Sequence, residues 1–230
     1  MTFYDLIVHA GYPLRRWARL EVHGRERLPR EGPLIIAANH DSMVDPLAVA
    51  AACHPARYVR FLAMAELWNS RILRFILDRM GQIPVERGGG GAKALTNAIH
   101  ALQNGETICI FLEGKLSRGQ KIRARRGLAQ LTTACPNVPI MLAAVTGADD
   151  IVRFPKRPRA RVSFLTPIGS ETIAENDDLP QRLLDQVRAV APPVPAGRRG
   201  RLASHLRERR VHQRNPSTPA REHAHEKAPS

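Results

Sequence analysis

Lysine is scarce in this chain. Of its 35 Lys and Arg, five are Lys (Lys93, Lys115, Lys121, Lys156 and Lys227) and the rest are Arg. Aromatic residues make up 5% of the 230 residues. With no aromatic–basic interleaving and no nucleic-acid motif, no specific nucleic-acid partner is expected. The three cysteines, Cys53, Cys109 and Cys135, are far apart and form no CxxC pair. That excludes a disulfide scaffold and a zinc-finger spacing, and is read as reduced thiols in a cytosolic setting. Long apolar runs are missing too. The least polar stretches, 46–52 and 139–148, fall far short of the ~20 residues a spanning helix needs. The N-terminus has no basic segment followed by an apolar run and a cleavage site, so no secretory signal is expected. There is no HExxH pair for zinc. Lys93 follows Ala92 rather than Gly, which breaks a phosphate-binding Walker loop. Lys115 stands where a G-x-S-x-G elbow around Ser117 needs glycine. No metal site is expected.

Hydrophobic residues are 43% of the chain, enough for one core, and the length suits one domain with a tail. With 21 Asp and Glu the formal net charge is +14. Either the Arg richness is a compositional bias, or the chain meets something anionic: lipid headgroups, nucleic acid, or a phosphorylated or carrier-bound substrate. Segment 191–230 reads as a Pro-containing linker followed by a basic, mostly disordered tail. From Arg198 on it has nine Arg or Lys against three Asp or Glu. At the other end, Phe3, Tyr4, Leu6, Ile7, Val8, Tyr12, Leu14 and Trp17 alternate with Arg15, Arg16 and Arg19. Segment 1–20 is read as interfacial; the competing reading is a helix packed on the core.

Between these ends, apolar runs alternate with helical patterns. Strands are predicted at 34–38, 58–62, 107–112, 139–145 and 161–165. Helices are predicted at 46–52, 67–80 (closed by Gly81), 92–102, 128–135 and 179–190. This is an α/β pattern: a single domain, 21–190, with a mostly covered mixed sheet flanked by helices.

Three stretches carry polar residues suited to chemistry. Asn39-His40-Asp41-Ser42-Met43-Val44-Asp45 follows the first strand, at a strand end where α/β proteins place their sites. A carboxylate on one imidazole nitrogen leaves the other as a general base. His40 and Asp45 would diverge in one continuous helix but can converge in a turn; alternatively Asp45 only caps the helix that Pro46 begins. Next comes 81–87, followed by Gly88 to Gly91. Glycines ahead of a helix can aim N–H groups at an anion, and Arg87 offers a fork for phosphate; the alternative is a flexible loop with a solvated Arg. Third is Phe111-Leu112-Glu113-Gly114-Lys115-Leu116-Ser117-Arg118, with Lys121, Arg123, Arg125 and Arg126 behind it. It is read as a cationic site loop or as an exposed hairpin-like loop.

In order and spacing these stretches resemble the PlsC-like glycerolipid acyltransferase family, typified by 1-acyl-sn-glycerol-3-phosphate acyltransferase. That family carries Asn-His-x4-Asp, Gly-x3-Ile-x-Arg, Phe-Pro-Glu-Gly-Thr-Arg-Ser and a Val-Pro-rich strand. Asn39, His40 and Asp45 complete the first. Gly81 and Arg87 keep the second, with Val85 for Ile. Phe111, Glu113, Gly114 and Ser117 keep the third, and Val138-Pro139-Ile140 stands for the fourth. The resemblance covers about residues 20 to 170. Lys115 and Leu116 depart from it, replacing Thr and Arg.

The resemblance implies acyl transfer from acyl-CoA or acyl-carrier protein to the free hydroxyl of a lysophospholipid, 1-acyl-sn-glycerol 3-phosphate in the type case, with no cofactor. His40 would be the general base and Asp45 its partner. Arg87, Glu113, Gly114, Lys115 and Arg118 would bind the acceptor, and backbone N–H groups near His40 are the default oxyanion donors. The family's Arg is thought to help bind the acceptor's phosphate. Leu116 in its place leaves Lys115 or Arg118 to supply the charge and points to another lyso-lipid acceptor as the alternative. From a different class, the rival is a non-catalytic basic module that binds nucleic acid or an anionic surface. The expected location is cytoplasmic, peripherally attached to the inner face of a membrane whose anionic surface is a partner.

Overall fold

The structure, a computed structural model, describes residues 2–86, 91–117, 119–148, 159–168 and 178–193. Arg87, Arg118 and the tail from 194 onward lie outside the described residues.

Two helices come first, α1 (Phe3–Ala10) and α2 (Tyr12–Trp17). Then β1 (Glu21–His23) and β2 (Leu34–Ala38) precede α3 (Asp45–Cys53), β3 (Val59–Met64) and α4 (Arg71–Arg79). The chain continues through β4 (Ile83–Val85), α5 (Gly91–Gln103), β5 (Thr107–Phe111) and α6 (Gly127–Ala134). It ends with β6 (Ile140–Thr146), β7 (Arg161–Leu165) and α7 (Leu179–Val190). The strands form one sheet in the order β1-β7-β6-β2-β5-β3-β4. Every neighbouring pair is parallel except β6 and β7.

Helices cover both faces of this mixed sheet. Ile35, Ala37, Ile108 and Leu142 join one core with Ala98 of α5, Leu131 of α6, and Leu183 and Val187 of α7. Leu34, Ile36, Ala38, Cys109 and Ala143 join the other, with Tyr4 of α1 and Val49 and Ala52 of α3. All five residues of β2 are buried. A strand covered on both faces reads as an unbroken apolar run, which is why β2 and β6 are visible in the sequence without alternation.

Two three-residue strands were not expected. β1 and β4 are the edges of the sheet, each pairing with one neighbour. Pro84 can sit in β4 because an edge strand has a side that needs no N–H donor. Within the stretch read as leading into an anion loop, Ile83 to Val85 form an edge strand, and Arg87 and Gly88 to Gly90 lie outside the described residues. The helix expected over 67–80 is two pieces, a 3-10 turn (Ala65–Asn69) and α4, because the Ser70 hydroxyl caps a new start by accepting Leu73 N–H. Gly81 closes α4 as expected. At φ +67° its N–H reaches Asp78 O at 3.0 Å and Gln82 N–H reaches Leu77 O at 2.8 Å.

The first twenty residues divide their apolar side chains. Tyr4 is buried, and its hydroxyl accepts from Val59 N–H at 3.2 Å. Asp5 receives the Tyr58 hydroxyl and pairs with His54, both at 2.9 Å. Leu6 and Tyr12 remain exposed. The segment is thus packed on the domain along one side and open along the other. No helix among the described residues is long and apolar enough to cross a membrane.

Candidate active site

β2 lies in the middle of the sheet between β5 and β6. The residues after it emerge at the carboxyl edge of these parallel strands. Asn39 is fully buried and continues the ladder by one rung: its side chain donates to Val145 O and accepts from Val145 N–H, both at 2.8 Å. Two backbone groups at the end of β6 that would lack partners in the interior are satisfied this way.

His40 Nδ1 lies 3.0 Å from Asp45 Oδ2. The same oxygen accepts the N–H groups of Asp41 and Ser42, each at 2.7 Å. A carboxylate oxygen already taking two amide protons meets His40 as an acceptor as well. Nδ1 therefore carries the proton and Nε2 the lone pair. Phe111 stacks on the imidazole with centroids 4.0 Å apart and planes at 18°, and Phe61 stacks behind it at 6.1 Å. One edge and one face of the ring are thereby fixed. The His40 side chain is 16% exposed and that of Asp45 1%.

The five-residue spacing works because 41–44 form a turn, with Asp45 N–H bonded to Ser42 O at 3.1 Å. The expectation that Asp45 caps the following helix is corrected. α3 begins at Asp45 itself, Val44 holds the cap position, and the carboxylate turns back to three donors instead of forward. Two of the backbone N–H groups near His40 are accounted for. The amides of Asp41 and Ser42 are committed to Asp45 and are not aimed at a reacting carbonyl.

A second layer holds this loop. Arg188, on α7, donates to both oxygens of Asp41, at 2.7 and 2.9 Å, and also to Glu113 Oε1. The Ser117 hydroxyl donates to Asp41 Oδ1. Ser117 N–H donates to His40 O at 2.7 Å, tying segment 112–117 to His40. Burial pushes the Asp41 carboxyl up, but hydrogen bonds from Arg188 and Ser117 outweigh it and leave the group below the usual carboxylate range. Glu113 goes the other way. Burial raises it and the Arg188 charge offsets only part. Its Oε2 is buried without a hydrogen-bond partner. On Arg188 the two carboxylates prevail over burial and raise its pKa.

Of the expected site residues, His40 and Asp45 meet directly. Glu113 follows β5 but is sealed from solvent. It was expected to hold a headgroup; its carboxyl meets the Arg188 guanidinium instead and anchors the loop. Gly114 adopts φ +63°, and a Cβ there would lie 2.8 Å from Arg125 Cγ, so the turn needs glycine. Lys115 is exposed beside it. Sequence reasoning missed Arg188 and Asp41. The available signal for Arg188 was a charge between Leu184 and Ala191, on the border of an otherwise apolar helix stripe. Among the described residues no three His, Cys, Asp or Glu converge as a metal would require. Beside the N-terminal end of α3, Ile7, Val8, Leu20, Val44, Leu47 and Met80 line an apolar cavity with α2 at its border.

The fold and the site place the protein among α/β proteins with an imidazole–carboxylate pair at the carboxyl edge of the sheet, an arrangement suited to general-base chemistry; sequence comparison gives the family. The family model described as Acyltransferase matches residues 19–144, more than half of the chain. The chain belongs to that family, in its PlsC-like branch. It is 25% identical over 157 residues to 1-acyl-sn-glycerol-3-phosphate acyltransferase of Streptococcus pneumoniae, covering 68% of this chain and 58% of that protein. It is 26% identical over 161 residues to lyso-ornithine lipid O-acyltransferase of Pseudomonas aeruginosa, covering 66% of this chain and 58% of that one. The chain thus spans less than two thirds of the length of either relative. The fold matches the crystal structure of the 1-acyl-sn-glycerophosphate acyltransferase PlsC of Thermotoga maritima with a TM-score of 0.60, covering 78% of each chain at 17% identity.

Proposed function

We propose that this protein is an O-acyltransferase. It moves a fatty acyl group from acyl-CoA or acyl-carrier protein to a lyso-lipid hydroxyl, 1-acyl-sn-glycerol 3-phosphate being the leading acceptor. The observation that carries the reading is the His40–Asp45 pair, with Nδ1–H committed to the carboxylate and Nε2 left with its lone pair. Nε2 takes the proton of the acceptor hydroxyl as its oxygen attacks the thioester carbonyl. The tetrahedral intermediate collapses, the C–S bond breaks, and the same proton passes from Nε2 to the departing thiolate. Asp45 stabilises the imidazolium between these steps. General-base assistance of this kind contributes ~10²- to 10⁴-fold. The apolar cavity that begins at Val44, next to Asp45, has the lining an acyl chain requires. Arg87, Lys115 and Arg118 are the cations assigned to the acceptor's headgroup.

A second acceptor class is favoured by one observation. Leu116 takes the family's Arg position, and Lys115 beside it is a point charge without the planar fork that grips phosphate in two places. A lyso-aminolipid, which asks for no two-point grip on a phosphomonoester, is the alternative acceptor that loop admits. The test is a panel of lyso-lipid acceptors with acyl-CoA and with acyl-carrier protein, read as thiol release and as acylated lipid. Activity on a lyso-lipid that disappears in His40→Ala, with the fold unchanged by circular dichroism, is the expected result. Full turnover by His40→Ala, or no acceptor-dependent thiol release across the panel, rejects the reading. The peripheral, inner-face location belongs to the same proposal.

A further inference from the structure

α4 is at odds with ordinary helix economics. A nine-residue helix is marginal in water unless it buries an apolar face, yet none of its residues is buried. Ile72 is 74% exposed, Phe75 54% and Leu73 42%. Arg71, Arg74 and Arg79 share the helix with them, and its one acid, Asp78, is taken up by the Trp68 indole N–H at 2.7 Å. The Arg79 guanidinium lies over the Phe75 ring, 5.3 Å from its centroid.

We infer that α4 is a second bilayer-contacting element, inserting Ile72, Leu73 and Phe75 among the acyl chains of an anionic membrane while its arginines meet headgroup phosphates. Alternation of cations with exposed large apolar residues on a short helix is the signature of an interfacial helix. Charge selects this occupant over a second copy of the chain. A two-fold contact through α4 would bring the arginines of one copy (Arg71, Arg74 and Arg79) against those of the other, whereas phosphates neutralise them. The patch is also continuous with the open side of the N-terminal helices. Phe75 meets the Phe3 ring edge-on at 5.6 Å, and Leu6 and Tyr12 are exposed on that segment. Met80, just past α4, lines the apolar cavity with Ile7 and Leu47, and Leu47 is two residues from Asp45. The contact surface therefore runs from α4 to the approach of the His40 loop. The inference does not rest on acyl transfer, because its readout is binding.

The experiment is sedimentation of the full chain with vesicles of phosphatidylcholine, with and without phosphatidylglycerol. The variant Ile72→Ser/Leu73→Ser/Phe75→Ser is expected to lower the partition coefficient about tenfold or more. Arg71→Gln/Arg74→Gln is expected to weaken binding to the anionic vesicles alone. Ile72→Cys carrying an environment-sensitive dye reports on α4 itself, since the three native thiols are buried; its emission is expected to shift to the blue on vesicle addition. Unchanged partitioning of the triple variant, or an unshifted dye on bound protein, overturns the inference. So does a self-associated wild type that the triple variant makes monomeric while vesicle binding persists, which assigns the patch to a second copy.

Discussion

Arg188→Met is the most informative perturbation of the site's support. The side chain keeps its approximate volume and loses its charge and donors. Asp41 then retains the Ser117 hydroxyl and the Asn39 amide, and its side chain is 18% exposed, so its share of the loss is small. Glu113 keeps only its own backbone N–H. Oε1 loses Arg188, Oε2 has no partner to begin with, and the carboxyl is fully buried. A buried carboxylate without a countercharge takes up a proton rather than stay charged. The cost at pH 7 is bounded by the work of protonating a group with an unfolded-state pKa near 4.3, about 3.7 kcal/mol. That falls within the ~3–5 kcal/mol measured when one partner of a buried pair is removed.

The bound carries a pH signature. The Glu113 pKa is raised in the folded protein, so between its unfolded and folded values the unfolded chain binds fewer protons and stability declines as pH rises. Without Arg188 the folded value climbs further and the declining window widens upward. The penalty of Arg188→Met should therefore shrink by up to about 1.4 kcal/mol per pH unit from pH 7 toward pH 5. Urea denaturation at pH 5, 6, 7 and 8 measures it. Adding Glu113→Gln to Arg188→Met replaces the titrating group and should recover most of the loss at pH 8, a coupling that a double-mutant cycle isolates. A penalty below about 1 kcal/mol that does not change with pH would refute the network as described, since the usual cost of breaking such a pair is several-fold larger.

Two further perturbations separate chemistry from packing. Asp45→Asn is geometrically tolerable, because a single oxygen serves His40 and both amides and an amide carbonyl can take its place. What goes is the charge that stabilises the imidazolium, so kcat should fall about 10²-fold or more with the thermal midpoint nearly unchanged; retention of more than half the activity would contradict the role given to Asp45. The three cysteines are buried, burial pushes Cys53 up to about 12 and Cys109 well above its usual value. Ellman's reagent should therefore find no thiol in the folded protein and all three after denaturation, and a thiol that reacts within minutes in native buffer would place it outside the core.

Where the burial pattern is strong, the sequence and the structure agree closely. β2, β7 and α7 fall at the predicted limits, and β5 and β6 within a residue, because the apolar runs of β2, β5 and β6, the alternating burial of β7 and the single apolar stripe of α7 leave strong patterns. β1 and β4 left none. Three residues at a sheet edge need neither a long run nor alternation, and Pro84 hid one of them. The His40–Asp45 pair was legible through its motif, whereas its geometry was not, since a five-residue spacing converges or diverges according to a turn that no local residue dictates. Arg188 was the hardest to see. It meets Asp41 across 147 residues of chain, and such a contact is set by how α7 packs on the sheet rather than by any neighbouring sequence.

Each residue from 39 to 42 is fastened to a different element. Asn39 extends the ladder to β6, His40 leans on Asp45 at the start of α3 and on Phe111 at the end of β5, and Asp41 is gripped from α7. The Ser42 hydroxyl reaches Ala148 O, just past β6, at 3.3 Å. In its proposed role as base, a His40 held this way needs no rearrangement when charge develops on it, which is the condition for electrostatic assistance to act fully in the transition state. On the same proposal, a base so rigidly fastened does not choose among acceptors. Selection then falls to the neighbouring loop, where Gly114 sets the turn, Lys115 is exposed, and Leu116 breaks the family pattern. Exchanging Leu116 for Arg should therefore redistribute activity among acceptors toward phosphomonoesters. It should leave the His40–Asp45 contact, and with it the rate on the best acceptor of the native loop, changed far less than the ratio between them.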